Sequence, residues 1–206
     1  MKYIFVAGAP GSKWSSVVKN IYFSPSVDQT DYSEERLYYH DASGKMELMH
    51  LGAYFDPGME FGDAFDSLSD LPKEYTKSLF DEAFNGVGVR IIKSHVFANH
   101  IDYLKENFPD CPIVLVHRPD DACLGWWVKC GHFDITYPSY DKYYVDLKTM
   151  AQKIKQQNNG IIKAMNEYPS YTPTTNIQLA RALGIAIPPE EYQQNYIASD
   201  IKVTVI

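Results

Sequence analysis

The chain has 206 residues, enough for one domain spanning 1–206 with a sheet covered on both faces. Its net charge of −7 excludes a broad nucleic-acid surface, so an anionic ligand needs a local basic pocket. The three cysteines, Cys111, Cys123 and Cys130, are too few for a disulfide framework and lack zinc-site spacing, which fits a reducing cytosol. No run is long and apolar enough to span a membrane. A cytoplasmic protein without nucleic-acid or membrane partners is therefore expected.

In chain order, Lys2 to Ala7 is an apolar run of β-formers that predicts a buried strand. Lys2 with Tyr3 to Ala9 faintly mimics a signal peptide, but it is short and runs into residues better suited to a phosphate loop. Gly8, Pro10 and Gly11 break the strand, and helical spacing resumes near Trp14 with Val17 and Val18. A strand that turns through Gly and Ser into a helix is a device for holding phosphate. Turn N–H groups converge on the anion, and the helix N-terminus adds partial positive charge. Ser12, Ser15 and Ser16 offer hydroxyls and Lys13 a full charge. The same residues also suit a helix start with serine caps and no ligand.

Ser24 to Ser33 is a polar loop; Glu34 to His40 and Met46 to Leu51 then flank Asp41–Lys45 as a predicted β-hairpin, with Gly44 at positive φ. Gly52 to Gly62 is a glycine- and aromatic-rich loop that lines an acceptor pocket or packs over the sheet edge. Pro72 at a first helical position opens a helix whose apolar side is Tyr75, Leu79, Ala83, Phe80 and Phe84. A second strand, Val87 to Ile92, leads into Lys93-Ser94-His95, and Ala98 to Phe108 reads as a helix. The third strand, Pro112 to Val116, is continuously apolar and ends at His117-Arg118. A helix over Ala122 to Val128 follows, with Asp120 and Asp121 in its first turn. Tyr140 to Tyr168 predicts a long helix kinked at Asn159-Gly160. Thr175 to Leu183 predicts a last helix stopped by Gly184, and Lys202 to Ile206 a short edge strand.

Three strand-then-helix units argue for an α/β domain with a mostly parallel central sheet flanked by helices, plus the hairpin insertion. Ligands of such sheets bind outside the strand carboxyl ends. That rule gathers the Gly8–Ser16 turn, Lys93 to His95, and His117 to Arg118 on one rim.

These residues resemble the sulfotransferase family, a three-layer P-loop fold that uses 3′-phosphoadenosine 5′-phosphosulfate as donor. Its loop resembles Pro-Lys-Ser-Gly-Thr-Thr, and Pro10-Gly11-Ser12-Lys13-Trp14-Ser15-Ser16 keeps the proline, a serine and trailing hydroxyls. Gly11 stands at the family's loop lysine, with Lys13 two positions on. Lys93-Ser94-His95 is similar to the Lys-Thr-His of cytosolic members, whose histidine is the base. Arg118 matches the arginine that binds the 3′-phosphate. The family's serine for that phosphate falls near Gly125 and Trp126, with Cys123 the nearest small polar residue, and its Arg-Lys-Gly segment has no counterpart. Leu179 to Ile185 resembles a late helix of the family.

The resemblance implies sulfuryl transfer to a hydroxyl or amine of a small-molecule or carbohydrate acceptor, without a metal. His95 is then the general base, Lys93 and Lys13 stabilise the leaving phosphate, and Pro10 to Ser16 with Arg118 bind the donor. The competing readings are a kinase-like nucleotide enzyme and a non-catalytic nucleotide binder. Gly8-Ala9-Pro10-Gly11-Ser12 opens like a kinase phosphate loop, but Ser12-Lys13-Trp14 lacks the Gly-Lys-[Ser/Thr] ending. Residue by residue, His95 also suits a helix-capping histidine, Arg118 a surface partner of Asp120 or Asp121, and Lys13 a solvated loop charge.

Overall fold

The computed structural model describes residues 2–31, 51–56, 64–130, 143–192 and 199–206. Tyr3–Gly8 (β1) is buried at every position, as a strand must be when helices cover both faces of its sheet. The chain continues through Trp14–Tyr22 (α1), Ala53–Tyr54 (β2), Lys73–Glu82 (α2), Arg90–Lys93 (β3) and Ile101–Asn107 (α3). It ends with Ile113–His117 (β4), Asp120–Lys129 (α4), Leu147–Glu167 (α5), Asn176–Ala182 (α6) and Lys202–Val205 (β5). Among the described residues the sheet order is β2-β3-β1-β4-β5. All neighbours run parallel except β5, which lies antiparallel on β4. The chain is an α/β protein with a mostly parallel five-stranded sheet flanked by helices.

Alternation along the strands sorts the core into two halves. Ile4 and Val6 of β1 join Ile91, Val114 and Val116 against Val17, Val18 and Ile21 of α1 and Leu179 of α6. Tyr3, Phe5 and Ala7 face the other way, with Ile92, Ile113 and Leu115, onto Phe80 of α2 and Leu104 of α3. That second half holds a group of packed aromatic rings: Phe5 meets Phe108 at 5.3 Å and Phe97 at 5.8 Å between ring centroids, both edge-on. Burying each such ring contributes roughly 1.5–3 kcal/mol. α5 serves both halves, through Met150 and Ile154 on one side and Ile161 and Ala164 on the other.

Several elements differ from their sequence expectation. The second strand begins at Arg90, because Val87 is fully out in solvent and Gly88 (φ +134°) presses its backbone on Ser26 to Asp28. The segment after Lys93 is not one helix from Ala98: a 3₁₀ turn, Val96–Asn99, ends at His100 before α3 begins. On α2, Thr76 is buried and Tyr75 is exposed, and Pro72 sits one position before the helix. α5 starts at Leu147, capped by Asp146, whose carboxylate accepts from the Thr149 N–H at 2.7 Å. It runs unbroken through Gly160. A Cβ there would lie 2.1 Å from the Ala98 carbonyl oxygen, so this glycine serves close packing, not a kink. α6 does end at Gly184, whose positive φ and the Ile185 N–H to Ala180 carbonyl bond close a Schellman turn. The expected hairpin over Glu34 to Leu51, all but its last residue, lies outside the described residues.

Candidate functional site

Parallel pairing fixes which strand ends share a rim. Val6 pairs with Lys93, Gly8 with Val116, and Tyr54 with Lys93, so β1, β2, β3 and β4 all terminate together. The β1–α1 turn, Lys93 to His95 and Arg118 therefore meet, as the sequence implies. β2 adds Asp56 to this rim. β5 runs the other way and starts there, with Lys202 opposite His117, which brings Asp200 to the same edge.

The turn is shaped by two close approaches. At Gly8 a Cβ would stand 2.7 Å from Ser12 Oγ. At Gly11 (φ +78°) it would stand 2.1 Å from the Cys123 carbonyl oxygen of α4. The position of the expected loop lysine thus has no room for any side chain. Lys13 precedes α1 in left-handed conformation (φ 61°) and gives the helix no side-chain cap. Its ammonium rests over the Trp126 ring at 4.5 Å from the centroid. Ser12 is completely buried and its hydroxyl has no hydrogen-bond partner among the described residues, whereas Ser15 and Ser16 are half-buried. α1 is not a serine-capped helix start.

On one side of the turn Lys93 is fully buried, its ammonium 5.3 Å from the Tyr54 ring centroid and 5.6 Å from that of Trp14. His95 stacks on Trp14 at 4.0 Å and turns Nδ1 to the Gly8 carbonyl oxygen. A carbonyl only accepts, so Nδ1 carries the hydrogen and Nε2 keeps its lone pair. Burial pushes the His95 imidazolium down to about 3, helped by the Lys93 charge and opposed by the Gly8 bond. Asp56 is buried behind it. Its carboxylate accepts from Ser94 Oγ at 2.9 Å and from the His95 N–H at 3.2 Å. Burial raises this carboxyl to about 7 despite those donors and Tyr54.

On the other side, Arg118 is nearly buried. Its Nε donates to Asp200 Oδ2 at 2.7 Å and Nη1 to the Gly11 carbonyl at 3.0 Å, leaving Nη2 without a protein partner among the described residues. It does not pair with Asp120 or Asp121. Asp120 instead accepts from Asn158 Nδ2 at 2.6 Å, and the same amide nitrogen donates to the Arg118 carbonyl at 2.9 Å. The Arg118 bond holds the Asp200 carboxyl below its usual range, with a smaller contribution from Lys13. Cys123 is buried under Arg118, and burial pushes its thiol up to about 12, so it is an inert thiol.

Asp56, Asp200 and Asn158 escape sequence reasoning. Asp56 follows a strand of only two residues, and Asp200 reaches the rim only because β5 is antiparallel. The expected acceptor-lining loop, Gly52 to Gly62, is described only as far as Asp56; its remaining residues lie outside the described residues. Among those described, no helix is long and apolar enough to cross a membrane.

No protein-family model, curated protein or solved structure matches this chain.

Proposed function

We propose that the chain is a P-loop sulfotransferase that moves the sulfuryl group of 3′-phosphoadenosine 5′-phosphosulfate to a hydroxyl or amine of a small-molecule or carbohydrate acceptor. One observation carries this reading: a buried Ser12 hydroxyl without a partner among the described residues, in the β1–α1 turn between Lys93 and His95 on one side and Arg118 on the other. A buried hydroxyl without a partner costs roughly 1–3 kcal/mol, which a bound phosphate oxygen offsets. The donor supplies an electrophilic sulfur on a phosphate leaving group. The turn N–H groups, Ser12 and the α1 N-terminus hold the 5′-phosphate, and Nη2 of Arg118 meets the 3′-phosphate.

His95 Nε2 takes the acceptor's proton as its oxygen or nitrogen bonds sulfur. The sulfur–oxygen bond to phosphate breaks, and its electron pair stays on the phosphate beside Lys93. Lys13, turned toward Trp126 and Asp200, acts on the charge of the bound nucleotide from the Arg118 side.

The closed space at Gly11 favours a second reading, a nucleotide binder without turnover, since no lysine can stand there. Calorimetry with 3′-phosphoadenosine 5′-phosphate against ADP and against ATP with magnesium separates the classes. A sulfotransferase prefers the first, loses that preference in Arg118→Ala, and in His95→Ala keeps binding while losing transfer by on the order of 10²–10⁴-fold. A preference for ATP with magnesium sinks the proposal in favour of a kinase-like enzyme. Binding of the bisphosphate with no transfer in a broad acceptor screen leaves the non-catalytic reading.

A further inference from the structure

We propose that Asp56 is the positioning residue of this site: it locks the Lys93–His95 corner and offsets the charge that forms on His95 when the acceptor's proton is taken. The inference rests on the transfer reading above and adds a residue that no motif at this site supplies.

The geometry is specific. Asp56 Oδ1 accepts from Ser94 Oγ, and Oδ2 accepts from the His95 N–H, so one carboxylate ties the end of β2 to the chain leaving β3. Ser94 Oγ in turn accepts from the Val96 N–H at 3.1 Å, which holds the 3₁₀ turn that follows. His95 is therefore held at its backbone by Asp56, at Nδ1 by the Gly8 carbonyl, on its ring face by Trp14 and edge-on by Tyr54. Nε2 lies 3.9 Å from Oδ2, too far for a direct hydrogen bond and close enough for strong charge coupling in a buried site.

During transfer the acceptor's proton passes to Nε2 while the acceptor–sulfur bond forms and the sulfur–phosphate oxygen bond breaks. No covalent bond to Asp56 changes. The imidazole becomes an imidazolium at a buried position, and an ionised Asp56 balances it; a protonated Asp56 does not. Burial raises the Asp56 carboxyl to about 7, so its ionisation falls in the neutral range. Among the described residues, the other charged and titratable groups facing the pair are Lys93 from β3, Tyr54 from β2, Lys153 from α5, and Tyr143 with its partner Asp66. Lys93 opposes protonation of His95, which makes a counter-charge on Asp56 matter more.

The test joins kinetics to a spectroscopic readout of the wild-type protein. In the wild type, kcat should rise through about pH 7, and the ¹³C shifts of the His95 ring should inflect at the same pH as Asp56 ionises. Asp56→Asn should lose both inflections and lower kcat by on the order of 10²-fold. Its affinity for 3′-phosphoadenosine 5′-phosphate should stay within about twofold, and Asp56→Glu should restore part of the rate. The idea is overturned if the wild-type His95 signals show no inflection near neutrality, or if Asp56→Asn keeps the pH dependence. It is also overturned if that variant loses nucleotide affinity in proportion to rate, which would make Asp56 a general structural support. If the wild type transfers no sulfate while the His95 inflection is present and vanishes in Asp56→Asn, the sulfotransferase reading fails and the pairing stands.

Discussion

Arg118 and Asp200 are bound to each other at the rim where the proposed nucleotide would sit, Nε to Oδ2 at 2.7 Å. The Asp200 side chain is 38% exposed, so the pair is worth only about 0–1 kcal/mol after solvent screening. It is a contact that a phosphate can displace. Asp200→Asn should tighten binding of 3′-phosphoadenosine 5′-phosphate by up to about fivefold. Binding of adenosine 5′-phosphate, which has no 3′-phosphate, should be unchanged. Calorimetry of the two nucleotides on the variant reads the difference; equal tightening of both would show that Asp200 repels nucleotide generally and does not compete at the 3′ position.

Gly11 stands where the family that the sequence resembles has its loop lysine, and Lys13 lies two positions on. Gly11→Lys, which restores the family pattern, should destabilise the protein. Its Cβ meets the Cys123 carbonyl at 2.1 Å, and φ is +78°. A lysine forced into such a conformation costs about 1–3 kcal/mol before any clash is counted. Thermal unfolding should show the loss, and nucleotide affinity should not improve. Lys13→Gly should behave oppositely, because it relieves a positive φ at a non-glycine residue. Its Tm should hold or rise while bisphosphate affinity falls. A rise in affinity would remove Lys13 from the site.

Ser12 offers a prediction in which stability and binding change in opposite senses. Its hydroxyl is buried with no partner among the described residues, so Ser12→Ala should leave the ligand-free protein as stable or up to about 1 kcal/mol more stable. The same change should weaken bisphosphate binding about 5- to 10-fold, as expected for losing one charge-assisted bond. An ordinary structural serine would lose stability and leave binding alone. Chemical denaturation with and without the nucleotide distinguishes the two.

The sequence made much of this site readable because β1 and β4 are covered on both faces and so appear as unbroken apolar runs. Once they are placed, parallel pairing carries the Gly8 turn, Lys93, His95 and Arg118 to one edge. Residues whose roles depend on distant packing were not readable. Gly160 looks like a helix breaker until the Ala98 carbonyl is seen against it. Val87 looks like a strand residue until Gly88 folds onto Asp28. Asp56 and Asp200 carry no local pattern, since a two-residue strand has no period and an edge strand's direction is set only by its pairing.

The Asp56–His95 pair also sets a pH dependence of stability that is visible only when it is taken apart. Asp56 has its folded pKa raised, from 3.8 to about 7, so its contribution is fully present below pH 3.8 and is lost as pH rises toward 7. His95 has its folded pKa lowered, from 6.5 to about 3, so its contribution is present above pH 6.5 and is lost as pH falls toward 3. Between about pH 4 and 6.5 the folded pair holds one proton, on Asp56, and the unfolded pair holds one, on the histidine. The two slopes cancel, and the wild type should show no net dependence from this pair in that window. Asp56→Asn should unmask the histidine: stability should then climb with pH at up to about 1.4 kcal/mol per unit. His95→Gln should unmask the carboxyl and fall with pH at a similar rate. Urea unfolding at pH 4.5, 5.5 and 6.5 measures both. Parallel profiles for the two variants would show that the groups do not hold these opposite protonation states in the folded protein.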